Sequence, residues 1–177
     1  MYFKIFLNFI LIVISSLIQF SFISILPFGL DNFNFALVAL IVILLVSSFS
    51  TSLWWAIGVG FLLDIYSFLP FGVYLACFFF TVLVANFLLV NFFTDRSLYS
   101  FLALIFLSSI CFNFLFYFFI YFLEIFGVTP AVVVLGKIFW INLTWQIFFN
   151  ILAVFVLFYV VNFVSQRLRP VFLKRKK

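Results

Sequence analysis

Apolar residues run along this chain in six long blocks separated by short polar clusters. An α-helix needs roughly 20 apolar residues to cross the ~30 Å hydrocarbon layer of a bilayer. On that basis the blocks predict helices over Lys4 to Leu26, Asn34 to Phe49, Leu53 to Leu69, Phe71 to Phe93, Leu98 to Phe126 and Gly136 to Val164. The second and third are short, and the turn between them rests on the uncharged cluster Ser47-Ser48-Phe49-Ser50-Thr51-Ser52. Merging these two blocks into one kinked or re-entrant element would leave five spans. Charge decides for six: Lys4, Arg96 and the six cations of the C-terminal tail then share one side, eight of the nine Lys and Arg residues, with only Lys137 opposite beside Asp31 and Glu124. The positive-inside rule places that side in the cytoplasm. The expected fold is an all-α integral membrane protein: a compact bundle of six transmembrane helices over residues 1–165, N and C termini cytoplasmic, followed by a basic cytoplasmic tail over 166–177.

Composition agrees with the pattern. Of 177 residues 69% are hydrophobic and 7% charged, which excludes a soluble domain, whose surface alone needs more charge. The six blocks leave no room for a separate soluble domain. The first block begins like a secretory signal, but it is too long and no Ala-x-Ala site follows, so it is read as a retained helix. The tail from Gln166 to Lys177 carries six positive charges and no negative one. It is read as a topology anchor that meets anionic lipid at ~1 kcal/mol per residue, and no nucleic-acid partner is implied. The 34 phenylalanines are assigned no function, because Phe enters a bilayer about as well as Leu.

Little in the sequence points to catalysis. There is no histidine, hence neither the usual general base nor the commonest metal ligand. Cys77 and Cys111 both lie in apolar blocks, where Cys behaves as a small apolar residue and a disulfide is not expected. No second carboxylate or nucleophile–base pair accompanies the intramembrane acid, so neither an enzyme nor a cofactor is expected. Asn142-Leu143-Thr144 matches the glycosylation pattern inside the last block, where the match is one of chance.

Two polar features stand out within the blocks. Asp64 lies in the stretch from Trp54 to Gly72, and a carboxylate there costs several kcal/mol unless it faces a partner or water. Its candidate partner by charge is Lys137. Gly58 and Gly60 would let another helix approach closely, while Pro70 and Gly72 end the helix, so spans three and four are expected to form a tight hairpin. The second feature is Asn142, Gln146 and Asn150, which recur every four residues and so share one helix face. Asn8, Ser15 and Gln19 in the first span, and Ser109, Asn113 and Tyr117 in the fifth, have helix-compatible spacing. These residues are read either as hydrogen bonds that close the bundle or as the lining of a cavity or partner-binding face.

The segment Gly58-Val59-Gly60-Phe61-Leu62-Leu63-Asp64-Ile65-Tyr66-Ser67, followed by Phe71-Gly72-Val73, resembles the signature region of the rod shape-determining protein MreD family. Chain size, six spans, Pro27 ahead of a short second span, the basic C-terminal end and, more weakly, Asn142 extend the resemblance over most of the chain. Phe68 departs from it, since the family often has Gly after the Ser. The resemblance implies a non-catalytic inner-membrane subunit of the bacterial elongation machinery. It would bind the transmembrane helix of MreC and, through it, associate with MreB, RodA and a class B penicillin-binding protein to scaffold peptidoglycan synthesis. In that reading a groove bearing the polar stripe receives the MreC helix, with Asp64 pinning the hairpin beside it. The competing expectation is the substrate-binding component of an energy-coupling-factor transporter, also a small six-helix bundle. Such components typically dock through Ala-x-x-x-Ala on the first helix, whereas no alanine precedes Ala36, and the outer loops are short and poor in charge.

Overall fold

The computed structural model describes residues 2–27, 29–93, 98–127 and 137–172, with side chains placed over 6–23, 25–27, 29–93, 98–127 and 139–159. These residues form six α-helices and no strand: α1 (Tyr2–Leu17), α2 (Phe35–Val46), α3 (Phe49–Tyr66), α4 (Val73–Asn91), α5 (Leu98–Ile125) and α6 (Lys137–Phe172). Past Leu17, α1 widens into one π turn over Ile18–Phe22 and then tightens into a 3-10 turn over Ile23–Ile25. Each sequence block thus yields one helix. The Ser-rich turn separates α2 from α3: Ser48 caps α3 by accepting from the Thr51 amide at 3.4 Å, and its hydroxyl lies 2.9 Å from that of Thr51. The third helix therefore begins at Phe49 rather than Leu53, because the hydroxyl cluster supplies a cap instead of a long loop.

Four segments are long and apolar enough to cross a membrane: Phe49–Tyr66, Val73–Asn91, Leu98–Ile125 and Phe139–Tyr159 within α6. The chain is accordingly a multi-pass helical membrane protein in its architecture. The other two apolar helices are shorter. α2, with 12 residues, rises only ~18 Å at 1.5 Å per residue, against ~30 Å of hydrocarbon. The expectation of six full-length spans is corrected at this helix. Lys4, Asp95, Arg96, Lys137 and the cations of the tail have side chains outside the described residues, so the charge argument for the termini stays one of sequence.

α2 occupies the centre. It touches each of the other five helices, and Ala36, Leu37, Val38, Leu40, Ile41 and Leu44 are buried. The sequence of α2, FALVALIVILLV, is apolar on every face, as a helix surrounded by others must be. Ser52 of α3 donates to the Leu40 carbonyl at 3.2 Å and ties the two together. The α2 N-cap residue Asn34 is 8% exposed and borders a cavity, so the short central helix starts deep in the bundle with space above its N-terminus.

α3 and α4 make the most extensive helix pair. A Cβ on Gly60 would lie 2.6 Å from Leu75 Cα and 3.0 Å from Leu75 N, so only glycine permits this approach. A Cβ on Gly58 would instead meet the Ile12 side chain of α1, at 3.0 Å from its Cγ2. Gly72 sits at φ 102°, a left-handed backbone, immediately before α4. Gly60→Ala should therefore lower stability by ~1–3 kcal/mol, since backbone cannot yield as a side chain does. Gly58→Ala should cost less, because the Ile12 side chain can shift. Thermal unfolding of the two purified variants in the same detergent tests this ordering.

Candidate functional site: a trans-capped hairpin beneath a polar cavity

Helix α4 begins at a half-buried turn, and its N-cap position is Gly72, which has no side chain to satisfy the first N–H groups. Asp64 supplies the missing acceptor from the neighbouring helix. Its Oδ1 accepts from the Tyr74 amide at 2.8 Å and its Oδ2 from the Leu75 amide at 3.0 Å, the second and third residues of α4. Those are the amides that an N-cap Asp of α4 itself would serve. Asp64 is 3% exposed, and the positive end of the α4 dipole favours a negative charge at that place. Gly60, one turn earlier on α3, allows the approach that this cap requires. Both carboxylate oxygens are engaged by the α4 backbone, and the side chain of Lys137, the candidate partner by charge, lies outside the described residues. Pro70 is half-buried in the connecting turn, where Ser67 donates to the Asp64 carbonyl at 3.2 Å.

The N-terminus of α2 is satisfied in the same manner, by amides. Asn34 caps its own helix, accepting from Leu37 N at 2.9 Å. Gln19, carried on the π turn that ends α1, accepts from Ala36 N and donates to the Phe33 carbonyl, both at 3.2 Å. Asn150 of α6 accepts from the Asn34 amide at 3.1 Å and donates to Ser109 Oγ of α5 at 2.9 Å. Asn113 of α5 donates to Gln146 Oε1 of α6 at 2.8 Å and, at the same distance, to the Ser109 carbonyl of its own helix. The polar stripe of the last helix is therefore turned inward: Asn150 is 0% and Gln146 7% exposed. Of the other polar positions noted in the sequence, Ser15 bonds to its own helix at the Ile12 carbonyl, and Asn8 is half-buried.

Above α2 lies a cavity of about 490 Å³ to which all six helices or their connections contribute. Its polar lining includes Gln19, Asn32, Asn34, Asn113, Asn142 and Gln146, and its apolar lining includes Tyr74, Phe78, Phe112, Phe116 and Tyr117. The aromatic residues form a continuous wall: ring centroids are 5.4 Å apart for Tyr74–Phe116, 4.8 Å for Phe78–Phe112 and 5.9 Å for Phe116–Tyr117. The exposed residues Asp31 and Phe68 stand at the mouth. Near them Gly29, at φ 81°, turns the loop against the Trp145 ring of α6. Asn142 lines the cavity and makes no hydrogen bond among the described residues, in contrast to Gln146 and Asn150 below it. Polar and aromatic groups thus do converge at one end of the bundle, but from helix interiors more than from loops.

Sequence reasoning brings together Asp64, Gly60 and Gly72, and the facing polar stripes of α5 and α6. It misses the capping role of Gln19 and Asn34, although an Asn directly ahead of an apolar block is itself a helix-start signal. It also misses the aromatic wall, whose members nothing distinguishes among 34 phenylalanines. Among the described residues no group of three or more His, Cys, Asp or Glu comes together. No protein-family model matches the chain, and neither does any curated protein or solved structure.

Asp64→Leu leaves two part-buried amides without acceptors, each costing up to ~1–3 kcal/mol. It should destabilise the protein and speed hydrogen exchange at Tyr74 and Leu75, with Asp64→Asn, which keeps one acceptor, falling between. Asn150→Leu strands the Asn34 amide and the Ser109 hydroxyl and should cost ~1–3 kcal/mol. Asn142→Leu should stay within about 0.5 kcal/mol of the parent. Exchange mass spectrometry and thermal unfolding read out both comparisons.

Proposed function

We propose that this chain is a non-catalytic subunit of the bacterial elongation machinery, seated in the cytoplasmic membrane with both termini in the cytoplasm. It holds MreC, and through MreC it meets MreB, RodA and a class B penicillin-binding protein. The observation that carries this reading is the hairpin from Gly58 to Leu75. The residues on which the resemblance to the MreD family rests form one physical device, in which Gly60 admits the neighbouring backbone, Gly72 turns the chain and Asp64 caps α4. A rigid, trans-capped hairpin suits a scaffold, whose task is to present a fixed surface. Gln146 and Asn150 of α6 are engaged within the bundle, so the MreC helix docks on an outward face rather than in a groove bearing them.

A second reading, the substrate-binding component of a small-molecule transporter, is favoured by one observation: the cavity of about 490 Å³ falls within the ~300–1,000 Å³ typical of ligand pockets. The absence of alanine before Ala36 counts against it. Mass spectrometry of partners recovered with the tagged chain from gently solubilised native membranes separates the two. Recovery of MreC and peptidoglycan synthases, lost on Asp64→Leu and kept on Asn142→Leu, is the expected result. Recovery of ATP-binding-cassette ATPases with a coupling subunit would replace the first reading by the second.

A further inference from the structure

The cavity above α2 is lined by polar side chains that the fold uses only in part. The 2.8 Å bond from Asn113 Nδ2 to Gln146 Oε1 fixes both carboxamides and leaves the Asn113 oxygen as an acceptor on one side of it and the Gln146 nitrogen as a donor on the other. Asn34 gives its oxygen to the Leu37 amide, and its nitrogen has no partner among the described residues. Asn32 is the reverse: its nitrogen donates to the Gly29 carbonyl and to Asp31, and its oxygen is unmet. Asn142 lies one helical turn from Gln146 on the same face of α6. Neither its carboxamide nor the hydroxyls of Tyr74 and Tyr117 make a hydrogen bond among the described residues. Asn34, Asn113 and Gln146 are 8%, 8% and 7% exposed, so their unmet atoms meet the cavity and little else. Side chains whose only task was to join helices would leave no such remainder, since an unmet polar group at this depth costs free energy.

We propose that the cavity binds a neutral sugar, a pyranose ring with hydroxyl groups around its rim and C–H groups on its faces. The unmet groups come from the 3-10 turn Leu30–Asn32, the N-cap of α2, and helices α4, α5 and α6, so they surround the space instead of facing it from one side. A ligand with a single polar edge would leave most of them unmet, and an acyl chain nearly all. Donors and acceptors are also mixed around the lining. A hydroxyl donates and accepts, and so serves a carboxamide oxygen, a carboxamide nitrogen or a phenol alike. The aromatic side of the cavity supplies the complementary surface: Tyr74 and Phe78 of α4 meet Phe116 and Phe112 of α5, with ring centroids 5.4 and 4.8 Å apart, a platform for the C–H face of a sugar. No Lys or Arg is among the described lining residues, so a phosphorylated or acidic sugar finds no counter-charge. Asp31, the charged residue of the lining, stands exposed at the mouth, so an ammonium group held at depth would be desolvated without a partner. This site goes beyond the scaffold reading, which requires no small molecule, and partner recovery and sugar binding can each fail without the other.

The test uses the full chain in nanodiscs prepared without glycoside detergent, with glucose, galactose, mannose, N-acetylglucosamine, maltose and cellobiose as probes. Saturation-transfer NMR, with irradiation of the protein's aromatic protons and empty nanodiscs as control, reads contact between the ring wall and sugar C–H groups. Saturable transfer to at least one of these sugars is expected, with glucose 6-phosphate and glucosamine at least tenfold weaker than the best of them. Asn142→Leu, a position at which the fold uses no side-chain hydrogen bond, should weaken binding at least tenfold. Leu69→Trp, which adds a bulky ring to the lining from the α3–α4 turn, should abolish it and keeps the test decisive if the first variant does not fold. Absence of saturable transfer to every probe would overturn the proposal and leave a cavity that holds water alone. So would binding indifferent to both substitutions, or binding of glucose 6-phosphate or glucosamine as strong as that of the neutral sugars.

Discussion

Backbone amides at the start of a helix need acceptors, and in an apolar interior water does not provide them. The architecture of this bundle depends on that constraint, because α2 begins at a buried position and α4 at a half-buried one. In each case the acceptor comes from elsewhere in the chain: the Asp64 carboxylate for α4, and the Gln19 and Asn150 amides, together with Asn34, for α2 and the residue ahead of it. These few side chains fix the depth at which both helices start. That depth in turn decides that α2 is short, that space exists above it, and that the space is lined by amides.

The two capping devices differ in chemistry for a physical reason. α4 is held by a carboxylate that meets two amides at once and has the helix dipole to favour its charge. α2 is held by neutral amides, which both donate and accept and so pass the connection onward. From Ala36 the bonds run through Gln19 to Phe33, and from Asn34 through Asn150 to Ser109. A carboxylate in place of Asn150 could accept from the Ser109 hydroxyl, but it would bury a charge at a position that is 0% exposed. Neutral amides also leave the cavity without fixed charge at its floor.

Much of this organisation can be read in the sequence, and the rest fails to show for identifiable reasons. The six apolar blocks map onto six helices because burial in lipid and burial in protein favour the same residues. That degeneracy also hides the difference between α2, enclosed by its neighbours, and the helices that face outward. Glycine spacing and the isolated Asp64 announce a close hairpin, but no sequence pattern shows which backbone amides lack acceptors. The four-residue repeat of Asn142, Gln146 and Asn150 shows one helix face correctly. Only the structure shows that the face divides, with Asn150 consumed in the core, Gln146 bonded to Asn113 at the cavity and Asn142 lining the cavity without a hydrogen bond among the described residues. The π turn at Ile18–Phe22 has no signature in the sequence, yet it precedes the point where the chain turns toward α2 and carries Gln19 to that helix.

The hairpin also bears on how the protein is made. α4 entering a bilayer alone would carry bare amides at its leading end, and α3 alone would carry a carboxylate with nothing to receive it. Each defect is the remedy for the other. The segment from Phe49 to Asn91 is therefore suited to leave the insertion machinery as one unit, the two helices pairing before either is released to lipid.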